Sequence, residues 1–183
     1  MTYKNLFIIG LLFEVTGQLL LAPGNDFVYA LKPIDFAHWS LLIGVVLLLP
    51  QAVSFPKTIF SYLGAPTAII GIVSIIGMCV LDFVFWSFPT QELRSEFGNH
   101  LTKISVIWKP FMSIGPNFTN VGLLLLSLNY FKSNKLGVVI IILATLILFF
   151  GRFIPSRIIL VYLLTAFGFA IIFYQKTTNE NKV

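Results

Sequence analysis

Charge is what this chain most conspicuously has little of. Of its 183 residues, 10% are Asp, Glu, Lys or Arg, against roughly 25% in an ordinary soluble domain. A soluble protein of this length needs a charged shell over a single core, and seven acids with twelve basic residues do not make one. Cysteine is nearly absent: Cys79 stands alone in an apolar run. No intrachain disulfide can form, and the thiol reads as a buried structural one. Histidine occurs twice, as His38 and His100, with no close-spaced ligand pair such as HxxxH. Neither a metal site nor a cofactor is therefore expected, although His and carboxylate side chains do gather in the same loops. There is no nucleophile elbow, phosphate loop or HExxH. The net charge of +5 and pI near 9.4 would suggest nucleic acid in a soluble protein. Here the basic residues are scattered singly along short segments, as the flanks of membrane helices are, so no nucleic-acid partner is expected.

What the chain has is apolar length. Hydrophobic residues make up 57% of it, mean hydropathy is +0.93, and 19 residues are Phe, a large side chain with no polar atom to satisfy against lipid. A spanning helix needs about 20 mostly apolar residues, because hydrocarbon offers no partner to an unpaired amide. The pattern predicts an all-α integral membrane protein, a bundle of about six transmembrane helices forming one domain. The helices fall near 6–22, 37–55, 67–88, 104–131, 136–150 and 156–174. The first is read as a retained span rather than a signal peptide, since Glu14 and Gln18 interrupt it and no small-x-small cleavage site follows. Pro50 is expected to kink the second, and 57–66 to be a linker. Residues 89–103 are expected to form a short surface helix. The fourth span is expected to be one kinked helix, broken at Pro110, Gly115 and Pro116, rather than an interfacial piece followed by a shorter span. Gly71, Ser74 and Gly77, with Ala166 and Ala170, mark close helix packing. The polar tail 175–183 is expected to fray.

Six spans put loops one, three and five on one side of the bilayer, the odd side, and both termini on the other, the even side. Trp39, Trp86 and Trp108 then fall on the odd side, and Tyr3, Tyr62, Tyr130 and Tyr174 on the even side, a sorting that interfacial aromatics favour. Lys and Arg divide equally between the sides. Lys109 drops out of that count if it lies within the membrane, which places both termini in the cytoplasm, in a cell membrane of bacterial inner-membrane type.

Ionisable groups inside a span are costly, so each is a functional candidate. Glu14 lies near the middle of helix one, with Gln18 one turn on along the same face. His38 opens helix two, Asp82 lies late in helix three, Lys109 starts the fourth segment, and Arg152 and Arg157 bound the last odd-side turn. The topology gathers Glu14, Gln18, His38, Asp82, Lys109 and Arg152 into the odd-side half and leaves the other half without a buried acid. Two readings follow. Either these residues line one water-accessible pocket in which Glu14 and Asp82 bind a cation, a proton or an amine, or the acids pair with Lys109 and the arginines and lock helices together, the commoner outcome in membrane bundles. Asn117-Phe118-Thr119 matches a glycosylation sequon but lies inside a span, out of reach of a transferase.

The first 85 or so residues resemble a pattern in small uncharacterised bacterial multi-pass membrane proteins. A first helix ends in Leu21-Ala22-Pro23-Gly24, an acidic loop follows, His38 heads helix two and Asp82 comes late in helix three. The resemblance implies architecture and no activity. The functional expectation is small-solute or ion binding and translocation through the odd-side pocket. The alternatives are a membrane-embedded enzyme acting on a lipid or isoprenoid, and an accessory subunit of a membrane complex. The expected partners are the lipid bilayer and either a second copy of the chain or another membrane protein.

Overall fold

The computed structural model describes residues 1–175; the frayed-tail expectation therefore lies, from residue 176 on, outside the described residues. The chain is all-helical, with no strand among the described residues. Three helices are long and apolar enough to cross a membrane: α1 (Tyr3–Leu21), α4 (Ile59–Ser87) and α9 (Arg157–Tyr174). A fourth candidate is a pair bent by 41°, Ser105–Ser113 with Gly115–Tyr130. Two apolar helices are shorter, α3 (Phe36–Ala52) and α8 (Lys135–Phe150). Between them lie α2 (Asn25–Ala30), α5 (Gln91–Lys103) and a single turn, α6 (Ser105–Ile107).

Local chemistry sets most of these ends. Thr2 caps α1 by accepting from the Asn5 amide, and Asp35 caps α3 by accepting from the His38 amide at 3.0 Å. Thr90 caps α5, the surface helix anticipated at 89–103. At its first turn the backbone N–H and the Thr90 hydroxyl hold the Glu92 carboxyl below its ordinary pKa. Asn134 caps α8 through the Gly137 amide and donates to Ile171 O at 3.0 Å, tying the start of α8 to the end of α9. Ser156, at φ 52°, turns the chain into α9 through a left-handed conformation that few non-glycine residues adopt.

Two boundaries differ from the sequence reading. The linker expected at 57–66 is mostly helix: α4 begins at Ile59 and carries Pro66 inside it. The opening turns are held to the end of the 115–130 segment, where Asn129 bonds both Thr58 and Ser61, and Gly64 packs against Leu125 and Leu126. This packing outweighs the proline. The fourth segment breaks in an unexpected way: Trp108–Ser113 is a π-helix, and α7 (Gly115–Ser127) restarts with Pro116 in its first turn.

The helices pair antiparallel through glycine. Gly10 and Gly44 bring α1 onto α3, Gly71 and Gly122 bring α4 onto α7 against Thr119 and Ala68, and Gly137 and Gly168 bring α8 onto α9. At each contact a Cβ would meet backbone of the partner helix, so the axes come closer than side chains would permit. Looser contacts of α3 with α4, α7 with α8 and α9 with α1 close a ring, and α7 with α8 is the sparsest of them. One end of the ring is filled by aromatic rings. Phe7, Phe55, Phe169 and Phe173 meet edge-on or tilted at 4.9–6.2 Å, and Tyr130 joins them. The other end holds the polar residues.

Candidate functional site

Glu14 faces the interior of the ring from α1. Its side chain is fully buried, Oε1 lies against Gly44 of α3, and neither oxygen has a hydrogen-bond partner. The residue is 1% exposed, and an ionised carboxylate at that depth requires a counter-charge, a donor or water. Around it stand Tyr162 of α9, whose phenol faces the carboxyl, the backbone N–H of Val45 on α3, and Asn120 of α7, whose side-chain oxygen is unpartnered. Three helices thus bring an acid, a phenol and an amide to one point.

That point is the inner end of a cavity of about 570 Å³ bounded by all the ring helices, within the range that holds a small ligand. Its walls are apolar at Leu41, Ile75, Met78 and Leu148, and polar at Gln18, Asn117 and Asn120. Arg152 and Arg157 stand at the rim, where Gln18, Ile158 and both arginines also line an adjoining cavity of about 430 Å³. The two cavities share Gln18, Ile158 and both arginines as lining, at the end of the ring opposite the aromatic cluster.

His38 and Asp82 belong to a separate site. The imidazole bridges two carboxylates: Nδ1 lies 2.6 Å from Asp35 Oδ2, and Nε2 lies 3.1 Å from Asp82 Oδ2. Asp35 therefore both caps α3 and orients the ring one turn further on. Both ring nitrogens donate only when the imidazole is charged; in the neutral ring one nitrogen accepts, and the carboxyl facing it must then carry the proton. The cluster faces a third cavity of about 340 Å³, lined also by Tyr29, Gln91 and Arg94. Arg94 stacks on the Tyr29 ring at 4.1 Å and donates to Phe88 O at 2.6 Å. Burial raises the Tyr29 phenol pKa, the charge of Asp82 adds to this and that of Arg94 opposes it. The ring nitrogens meet the carboxylates directly, and among the described residues no group of His, Cys, Asp or Glu is disposed to hold a metal ion.

The candidates from sequence thus divide. Glu14, Gln18 and Arg152 share the central cavity; His38 and Asp82 share the smaller one; Met112 is the wall common to both. Lys109 lies on the π-helix, exposed, and lines neither. Among the described residues the ion pairs join His38 to Asp35 and Asp82, and none joins an acid to Lys109 or an arginine. Comparison with protein-family models, with curated proteins and with solved structures gives no match. Geometry alone therefore directs the functional reading.

Three residues of the central site were not singled out as pocket residues from the sequence. Arg157 entered only as a residue bounding the last turn, and Asn120 lies just after the Pro116 break, where nothing in the sequence marks it as a pocket residue. Tyr162 had a usable signal: most tyrosines of the chain sit at predicted helix ends, whereas Tyr162 lies inside an apolar span, away from the interface that a phenol prefers.

Proposed function

We propose that this chain is a polytopic membrane protein that binds a small solute, bearing an amine or another strong hydrogen-bond donor, in its central cavity as a step in translocation. The observation that carries the reading is the Glu14 carboxyl: buried, unpartnered, and set at the closed end of a solute-sized recess. A residue that only locked helices together would meet a basic or amide partner, as Asp82 meets His38. A donor group entering the recess would find Glu14, Tyr162 and Asn120 converging on it, and the energy of those bonds would offset its lost hydration.

On this reading all six apolar helices cross the bilayer, α3 and α8 included. At 1.5 Å per residue these two cover only about 25 Å, a mismatch that local thinning or flanking residues absorb. The arrangement suits a bacterial inner membrane with both termini cytoplasmic and the recess opening to the far side. Six helices this short rarely enclose a whole transport path, which favours a homodimer. The sparse α7–α8 seam beside the recess favours a second reading, a site reached sideways from lipid, as a lipid-acting membrane enzyme would need.

Two measurements test the proposal. In a Cys79→Ala background, Asn120→Cys should react with a membrane-impermeant thiol reagent from one side of sealed vesicles only. Proteoliposomes of the wild type should take up radiolabelled ethanolamine faster than empty vesicles, and Glu14→Gln should abolish the difference. An unreactive position 120, together with uptake no faster than in empty vesicles, would return Glu14 to a purely structural role.

A further inference from the structure

From the rim of the same recess we infer that the solute is bipolar: a cationic amine reaches Glu14 while a phosphate or carboxylate is held at the mouth by Arg152 and Arg157. This rests on the central cavity being the binding site and goes beyond it by assigning the second pole. The two arginines flank the turn between α8 and α9, and both line the central cavity and the one adjoining it. Arg157 donates to Leu148 O at 3.3 Å, which anchors one nitrogen and leaves the rest of its fork available. Neither arginine has an acidic partner among the described residues, and neither reaches Glu14. A recess that holds an unpaired acid at its base and two unpaired guanidinium groups at its rim is electrostatically incomplete. One arginine folding inward would neutralise Glu14, yet the structure keeps them apart.

The spacing suits a compact zwitterion. Glu14 and Gln18 are one helical turn apart on α1, and Gln18 already lines the rim cavity beside both arginines. The acid-to-rim distance is thus on the order of one to two turns, ~6–10 Å along the axis. Guanidinium groups match tetrahedral or planar oxyanions with paired N–H donors, and Gln18 and the exposed Ser156 add neutral donors at the same rim. Between the poles the walls are aliphatic at Leu41, Met78 and Leu148, which suits a short carbon spacer. An aminoalkyl phosphate, an amino acid, or the headgroup of an aminophospholipid entering by the α7–α8 seam all present this chemistry.

The test uses the full chain, purified in detergent, titrated calorimetrically with inorganic phosphate, ethanolamine and phosphoethanolamine. Phosphoethanolamine should bind at least about tenfold more tightly than either half-molecule, because each pole adds its own contact. Arg152→Gln with Arg157→Gln should remove phosphate binding and this advantage while ethanolamine still binds. Glu14→Gln should remove ethanolamine binding and leave phosphate bound. Ethanolamine binding without phosphate binding would overturn the bipolar assignment and leave the proposed cavity function standing. Phosphate binding without ethanolamine binding would sink the cavity function instead, and the bipolar assignment with it. Nanodiscs separate the two sources. A lipid ligand predicts that phosphatidylethanolamine copurifies with wild type, but not with the double arginine variant, and blocks phosphoethanolamine. A soluble ligand predicts equal phosphoethanolamine binding in discs of phosphatidylglycerol with or without that lipid. If the double arginine variant binds all three probes as wild type does, the rim has no part in recognition.

Discussion

Two acids face the interior of this bundle, and their surroundings are opposite. Asp82 meets the imidazole of His38, which a second carboxylate, Asp35, holds from behind, so each group in that chain has a partner. Glu14 faces the Tyr162 phenol and the Val45 N–H, with no hydrogen bond of normal geometry to either of its oxygens. The first arrangement joins α3 to α4 and fixes the loop that precedes α3. The second stores unspent hydrogen-bonding capacity at the base of a cavity. Burial alone therefore does not distinguish the two acids; the partner, and the space beside the carboxyl, do.

The contrast is broken most directly at His38. His38→Ala should lower stability by about 3–5 kcal/mol, because it leaves the deeply buried Asp35 carboxylate without its imidazole; thermal unfolding of the purified protein would register it. Loss of less than about 1 kcal/mol would mean that the chain of partners is not structural. Asp82→Asn should cost less, about 1–3 kcal/mol, since its side chain is 19% exposed and water can replace part of the lost bond. Glu14→Gln inverts the pattern. It removes an unpartnered acid and should leave the unfolding temperature unchanged or raise it, by less than about 1 kcal/mol, while solute binding disappears. A large destabilisation by that variant would show that Glu14 has a structural partner in the membrane. Lys109→Gln should sit within about 0.5 kcal/mol of wild type and leave binding untouched, as suits an exposed residue that lines neither cavity.

How much of this was legible in the residues depends on the scale of the interaction. Apolar run length located the helices, although three or four rather than six are long and apolar enough to cross a membrane; the small residues Gly71, Ser74 and Gly77 marked a close-packed face of α4, where Gly71 meets Thr119 and Ser74 meets Gly115 of α7, and Gly77 meets Phe111 of the π-helix. The gathering of Glu14, Gln18 and Arg152 followed from alternating helix direction alone. The separation of His38 and Asp82 from them did not. It depends on which way each helix is rotated, and their spans are apolar nearly all round, so periodicity gives no azimuth. The start of α4 was hidden for another reason. Pro66 is a local stop signal, and the Asn129 bonds to Thr58 and Ser61 that override it come from a segment some 70 residues away. Lys109 was misleading because it stands at the exposed start of the broken segment, on the π-helix, rather than inside a span.

The aromatic cluster of Phe7, Phe55, Tyr130, Phe169 and Phe173 has a kinetic meaning. Phe7 and Phe169 are entirely buried, and the cluster fills the end of the ring opposite the polar cavity. On the proposed reading, passage along the bundle axis requires several interlocked rings to repack together, whereas the α7–α8 seam leads sideways. If the cavity carries a solute, its passage along the axis is timed by those phenylalanines rather than by the acid that waits beneath them.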